Sequence, residues 1–256
     1  MKIIVLMKQV ANKDAILRIN KESTWIEESD LSYEVNESDG YALEEALRLK
    51  EKKGGEVVVC SMGPQRVKSV IKDALARGAD RAVHVVSDGT RQPGPYEAAR
   101  LLAEAIRGEQ ADLVLTGLQS DDNGYAQTGV ILAEILGLPH ATIVIDVDAS
   151  GEQFRVKREL ESGWYQWYTM PLPALLTIQS GISQIRYATL KGIMAAKKKE
   201  IKEVQPSADG QSPSTQHVNK IYFPLKTKQT QFLGDGDAKS GAAKLAEMLR
   251  REARVI

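Results

Sequence analysis

ADLVLTGLQSDDNGYAQTGVILAEILGLP, residues 111–139, is the stretch from which the architecture follows. Asp112 to Thr116 is a short run rich in branched apolar residues, the pattern of a strand buried on both faces. Gly117 closes it. A polar loop, Leu118 to Tyr125, comes next, and Ala126 to Leu136 then reads as a helix whose end is marked by Gly137 and Pro139. A strand, a glycine-bearing polar loop and a helix start bring unpaired N–H groups and the positive end of a helix dipole together, which suits an anion. The same stretch fits an ordinary turn of an α/β domain. Neither GxGxxG nor GxxxxGK[ST] is present, so the Rossmann and P-loop fingerprints do not apply.

Composition narrows the field. In 256 residues, 34 lysines and arginines balance 34 aspartates and glutamates, which removes any global argument for nucleic-acid or membrane-surface binding. The single cysteine, Cys60, excludes a disulfide framework and a cysteine-rich metal site. No apolar stretch has the length to cross a bilayer, so no membrane insertion is expected. The opening MKIIVLMKQV is interrupted by Lys8 and is read as a first strand, with a cytoplasmic protein as the expectation.

Around the deciding stretch, strand and helix patterns alternate. Lys2 to Met7 reads as a central strand with Lys8-Gln9-Val10 at its carboxyl end, where open α/β sheets hold ligands; Lys8 fits a solvated loop equally well. Residues 16–19 and 24–26 are read as a small hairpin. Asn36 and Ser38 are cap candidates for a helix over Tyr41 to Lys53. Further strands are expected at Glu56 to Met62 and Ala82 to Val86, the latter with His84 as a sheet histidine. Further helices are expected over Val67 to Arg77 and Pro95 to Gly108. This order predicts a doubly wound, mostly parallel sheet with helices on both faces. No GxSxG, HExxH or CxxC motif occurs.

Residues 142–147, 154–160, 164–170 and 174–178 read as strands of a meander completing the sheet. Leu190, Ile193 and Met194 recur at helical spacing, and Lys197 to Lys199 place cations at that helix's end. The segment reads either as a core-packed helix or as an exposed apolar anchor for a partner. Residues 205–219 have a linker's composition, followed by a last amphipathic helix, Ala238 to Arg251. The domain plan is therefore 1–204 for the α/β domain and 205–256 for a linker and extended C-terminal arm.

At this point the residues resemble a family. Arg186-Tyr-Ala-Thr-Leu-Lys-Gly-Ile-Met-Ala-Ala-Lys-Lys-Lys199, preceded by Leu172-Pro-Ala174 and Val156-Lys-Arg-Glu159, is similar to the beta subunits of electron-transfer flavoproteins, including FixA-type relatives. Lys8-Gln-Val10, Ala42 to Lys50, Gly78-Ala-Asp-Arg81, and Asp122 with Gln127-Thr-Gly129 add to it. The resemblance runs from Met1 to about Val204 and implies an adenine nucleotide alpha hydrolase-like fold. It also implies a heterodimer with an alpha subunit that holds the redox-active FAD. The beta chain then has no catalytic residue and carries a structural AMP, or in electron-bifurcating members a second FAD that reacts with NADH.

The resemblance maps the nucleotide onto Met7, Lys8, Asn36, Met62, Gly117, Asp122, Ala126, Gln127 and Thr128. It maps docking of acyl-CoA dehydrogenase-type flavoenzymes onto Tyr187, Ala188, Thr189, Leu190, Ile193, Met194 and Lys197, with Leu190 as anchor. Glu159 maps to an alpha-subunit contact, and a quinone oxidoreductase is the implied acceptor. Bifurcating members usually show Asp-Gly-Asp-Thr-Ala-Gln-Val-Gly where this chain has Asp122-Asn-Gly-Tyr-Ala-Gln-Thr-Gly129, and bulky Tyr125 favours AMP over FAD. The family's usual Asn-Pro is Asn36-Glu37 here, and its Asn-Xaa-Pro-Arg-Tyr is Ser183-Gln-Ile-Arg-Tyr187.

Overall fold

Strand β1 (Lys2–Leu6) is buried from Ile3 onward and pairs in parallel with β4 (Glu56–Gly63) on one side and β6 (Leu113–Gly117) on the other. It is central, as its unbroken apolar run predicts. The computed structural model describes residues 1–89, 93–151, 153–206, 216, 218–225, 227–228, 230–234 and 236–256. The remaining elements of the α/β unit are β2 (Gln9–Ala11), β3 (Tyr33–Val35), α1 (Glu37–Lys53), α2 (Lys68–Arg77), β5 (Arg81–Val86), α3 (Pro95–Ile106), α4 (Thr128–Leu136), β7 (His140–Asp148), β8 (Phe154–Glu159), β9 (Tyr165–Met170), β10 (Ala174–Ile178), α5 (Leu190–Ala196) and β11 (Ile201–Val204).

Nine strands form one sheet in the order β11-β5-β4-β1-β6-β10-β7-β8-β9, parallel from β11 through β7 and antiparallel from β7 to β9. Alternate residues feed two cores. Ile3, Val5, Val59 and Leu115 pack with Leu43, Leu47, Ile71 and Leu75 of α1 and α2. Ile4, Val58, Cys60 and Val114 pack with Ala99, Leu102 and Leu132 of α3 and α4. Helices on both faces complete the doubly wound arrangement that the alternation predicts.

Four local expectations are corrected. Strand β10 does not continue the meander; it lies parallel between β6 and β7, with Leu175 in register with Val114 and His140. Its five residues are all buried, which is a central strand's pattern and not that of a half-solvated edge. The hairpin expected at 16–26 reduces to one bridge, Ile19 to Ile26, with Ile16 and Leu17 exposed. Helix α1 begins at Glu37, four residues before Tyr41, because the Asp121 carboxylate accepts from the Glu37 amide at 3.0 Å. Lys199 does not cap its own helix. Its ammonium donates to the carbonyls of Leu75 and Ala79 at the end of α2, and burial lowers its pKa.

The Gly78 to Arg81 stretch is structural. Asp80 accepts from the Val57 amide at 2.8 Å and pairs with Lys50, while Arg81 spans Glu56 and Glu109 across the amino ends of the strands. His84 is a sheet histidine, with Nε2 2.9 Å from the Gly63 carbonyl.

A second unit, Lys220–Ile256, contains α6 (Ala238–Met248), capped by the Asp237 carboxylate on the amides of Lys239 and Ser240. Its Tyr222, Phe223, Leu225 and Phe232 are exposed, and no residue of α6 is buried. Of the expected linker, residues 207–215 and 217 lie outside the described residues.

The Arg81 guanidinium holds the Glu109 carboxyl below its ordinary value of 4.5. A depressed carboxylate contributes stability above its unfolded pKa and loses it as pH falls through the folded one. Arg81→Gln is therefore expected to lower urea stability by about 1–2 kcal/mol at neutral pH. The gap from wild type should close below the carboxylate range. A constant gap down to pH 3 would refute this.

Candidate functional site

Strands β1 and β6 are parallel neighbours whose chains depart in opposite senses. From β1 the chain reaches β4 and then β5; from β6 it continues to α4 and β7 on the other side. Ligands of open α/β sheets lie at this reversal, outside the carboxyl ends of the strands. The β1–β6 ladder stops at Val5 and Leu115. Beyond it, the Met7 amide bonds to the Cys60 carbonyl of β4, and the Leu118 amide bonds to the Ile178 carbonyl of β10. The two chains thus separate, and a crevice opens between them.

Asp39, in the first turn of α1, spans that crevice. Its Oδ2 accepts from the Lys8 amide at 2.7 Å and its Oδ1 from the Gly117 amide at 2.8 Å. Burial pushes its carboxyl up to about 7, opposed by these two amides, the Asn36 side chain and the charge of Lys8. Gly117 is required by this approach, since a Cβ there would lie 2.2 Å from Ser38 Oγ and 2.4 Å from Asp39 Oδ1.

The loop after β6 is fastened to the start of α1. Asn36 donates to the Gln119 carbonyl and accepts from the Asp121 amide, and Ser38 Oγ donates to the same Gln119 carbonyl. Asn36 is the N-cap residue of α1, as expected, but its side chain holds the loop and does not cap the helix; Ser38 lies inside α1 and also holds the loop. The chain turns again through left-handed residues Gly124 and Ala126 and enters α4 without a side-chain cap. A Cβ on Gly129 would lie 2.7 Å from Thr116 Oγ1, so only glycine lets the start of α4 sit this close to β6.

The resulting cleft encloses about 1200 Å³, open space at its mouth included. Its lining combines apolar Leu6, Cys60, Met62, Ala98 and Leu102 with polar Lys8, Asn123, Gln127 and Thr128. Burial pushes the Cys60 thiol up to about 12, which leaves it inert as a nucleophile. Of the nine residues mapped to a nucleotide, Met7, Lys8, Asn36, Met62, Gly117, Ala126, Gln127 and Thr128 border this cleft. Asp122 does not; it holds Lys8 Nζ at 2.6 Å. Asp39 is not legible in the sequence, whose pattern starts the helix after it, at Tyr41. An acid beside a cap candidate was the available signal.

The residues mapped to partner docking gather on α5 and the turn before it. Tyr187 is 90% and Leu190 78% exposed, and Ile193, Met194 and Lys197 are exposed beside them. Thr189 caps the helix through the Gly192 amide, and Ala188 packs inward against the core. Glu159 stands at the end of β8 opposite Tyr165, in hydrogen-bond reach of Gln179. Arg186 makes a two-pronged bond to buried Glu44, both contacts 2.9 Å, and also pairs with Glu51.

The family model of the electron transfer flavoprotein domain matches residues 23–209. Electron transfer flavoprotein subunit beta of Methylophilus methylotrophus is 37% identical over 97% of this chain and 98% of its own length. The subunit of the same name from Bacillus subtilis is 30% identical over the full length of both chains, and that from Homo sapiens 36% identical over 80% of this chain and 82% of its own. The chain belongs to the electron transfer flavoprotein beta-subunit family. A beta subunit implies an alpha-subunit partner. In this beta subunit the matched region takes in α1 through β11, hence Asp39, the loop after β6 and the exposed helix α5. Among the described residues no helix is long and apolar enough to cross a membrane, and no cluster of potential metal ligands occurs.

Gly117→Ala drives a methyl group into Ser38 and Asp39 and is expected to cost about 1–3 kcal/mol of stability. Equilibrium denaturation of the variant checks this; a wild-type midpoint would show that α1 can retreat at no cost.

Proposed function

We propose that this beta subunit serves a heterodimeric electron carrier that takes electrons from acyl-CoA dehydrogenase-type flavoenzymes and passes them to a quinone oxidoreductase. The FAD held with the alpha subunit supplies the redox chemistry. The beta chain contributes a docking surface, an intersubunit contact at Glu159 and a structural AMP. The observation that supports the AMP reading is the cleft at the strand reversal, lined by both polar and apolar residues. Within it, the uncapped start of α4 and Lys8 suit a phosphate. Its apolar lining residues suit a base.

The residues of this chain bind and orient; none of those bordering the cleft is an activated nucleophile. Lys8 is held by Asp122 and Ser120, at 2.6 and 3.4 Å, and so is already aimed along the loop where a phosphate would sit. Tyr125 stands in the cleft wall and is part of the reason for preferring a mononucleotide to a second FAD. A bound nucleotide stabilises the folded chain by mass action without entering the reaction.

Two measurements test this function. Denaturing the co-purified heterodimer is expected to release one FAD and one AMP. Two FAD without AMP, together with NADH oxidation, would replace it with the bifurcating alternative. Leu190→Ala removes the most exposed aliphatic group of α5 and is expected to raise KM for the reduced dehydrogenase about tenfold with FAD content unchanged. An unchanged KM would remove α5 as the docking element.

A further inference from the structure

Asp39 is 6% exposed and is not among the residues that the resemblance assigns to the nucleotide. Its position is set by two independent anchors. Helix α1 fixes its backbone, because Glu37 is capped by Asp121 and the α1 face bearing Leu43 and Leu47 is buried against the sheet. Its carboxylate then meets the amides of Lys8, two residues past the end of β1, and of Gly117, the last residue of β6, both beyond the ladder that the two strands share. No strand takes those two donors, since on either side the chains are already turned toward β4 and β10. A buried amide without an acceptor is costly, and here one side chain satisfies two from opposite walls of the cleft.

We propose that Asp39 is the positioning residue of the nucleotide cleft, a carboxylate strut that sets the spacing between the Lys8 and Gly117 walls and thereby the affinity for an adenine mononucleotide. The consequence for affinity rests on the nucleotide reading given above; the strut itself does not. Lys8 precedes the β2 strand and carries one wall, while Gly117 leads into the loop and α4, which carry the other. Fixing the amides of both residues fixes the distance between the lysine and the α4 amides. The charged groups around Asp39 are Lys8 after β1 and Asp121 and Asp122 in the loop after β6. Asp121 is engaged by the Glu37 amide and Asp122 by Lys8 Nζ and the Asn123 amide. Lys8 is therefore the cation that responds when Asp39 changes charge.

The test uses the full chain, isotopically labelled, with two readouts. Without nucleotide, the amide proton signals of Lys8 and Gly117 are followed from pH 5 to pH 9. They are expected to move together with one midpoint, since both donate to the same carboxylate, and this needs no variant. AMP affinity is then measured by calorimetry for wild type, Asp39→Asn and Val156→Ala, the last a core substitution in the antiparallel end of the sheet. Asp39→Asn is expected to abolish the shared titration and weaken AMP about tenfold, the effect of one hydrogen bond to a charged group. Val156→Ala should lose stability and keep both properties. Separate midpoints for the two amides, or wild-type affinity in Asp39→Asn, would overturn the proposal. A wild-type chain that takes up no AMP while its two amides still titrate together would sink the nucleotide reading and leave the strut supported by its own signal.

Discussion

Two parallel strands whose chains leave in opposite directions cannot extend their common ladder past the point of parting. That constraint acts at the ends of β1 and β6, and much of the surrounding structure answers it. Asp39 takes the amides of Lys8 and Gly117, so α1 must start early enough to bring it there. Ser38 and Asn36 then face the loop after β6 and hold it. Gly117 must lack a side chain, because α1 occupies the space that a Cβ would take. The cleft exists because the sheet is topologically divided at this place, and it has a defined width because one acid closes the division.

The electrostatics of the cleft follow from the same arrangement. Three acids lie near it, Asp39, Asp121 and Asp122, which would oppose an anion if they were free. Each is committed to donors: Asp39 to two amides, Asp121 to the start of α1, and Asp122 to Lys8 and the Asn123 amide. The start of α4 has no such side chain. The donors left for the phosphate of the proposed nucleotide would thus be concentrated at one helix terminus, where the dipole adds to them. Lys8 is shared. If the cleft takes the nucleotide proposed above, its phosphate would compete with Asp122 for this ammonium, and ligand entry would exchange one ion pair for another.

Much of the sheet was legible because burial on both faces writes itself as continuous apolar runs, and β1, β4 and β6 are such runs. Strand β10 carries the same signature in Ala174 to Ile178, but its neighbours in sequence are antiparallel strands. Chain order argues for adjacency, whereas composition argued for the centre. The cleft was legible as far as it depends on glycine and helix-start chemistry in residues 117–129. Asp39 was not, because its partners are backbone amides 31 and 78 residues away, and no local pattern encodes an acid's long-range acceptance from main chain. Lys199 shows the same limit: a lysine in a basic run reads as solvated until a second helix end is placed beside it.

The exposed helix α5 poses a separate physical question. Seven residues are too few to hold a helix in water, and an apolar face turned to solvent cannot stabilise it by burial. Its order comes from its flanks. Arg186 fastens the preceding turn to Glu44 and Glu51 of α1, and Lys199 fastens the following turn to the end of α2. In between, Gly192 lets the helix backbone close on α2, where a Cβ would fall 2.1 Å from the Ala76 carbonyl oxygen. Leu190, Ile193 and Met194 are thereby held outward on a rigid base. Ordering that surface is accomplished on folding, so a partner docking there, as proposed above, would lose little further entropy. Were α5 the docking element proposed above, the ion pairs of Arg186 would act on recognition at a distance, through the position of residues that they do not touch.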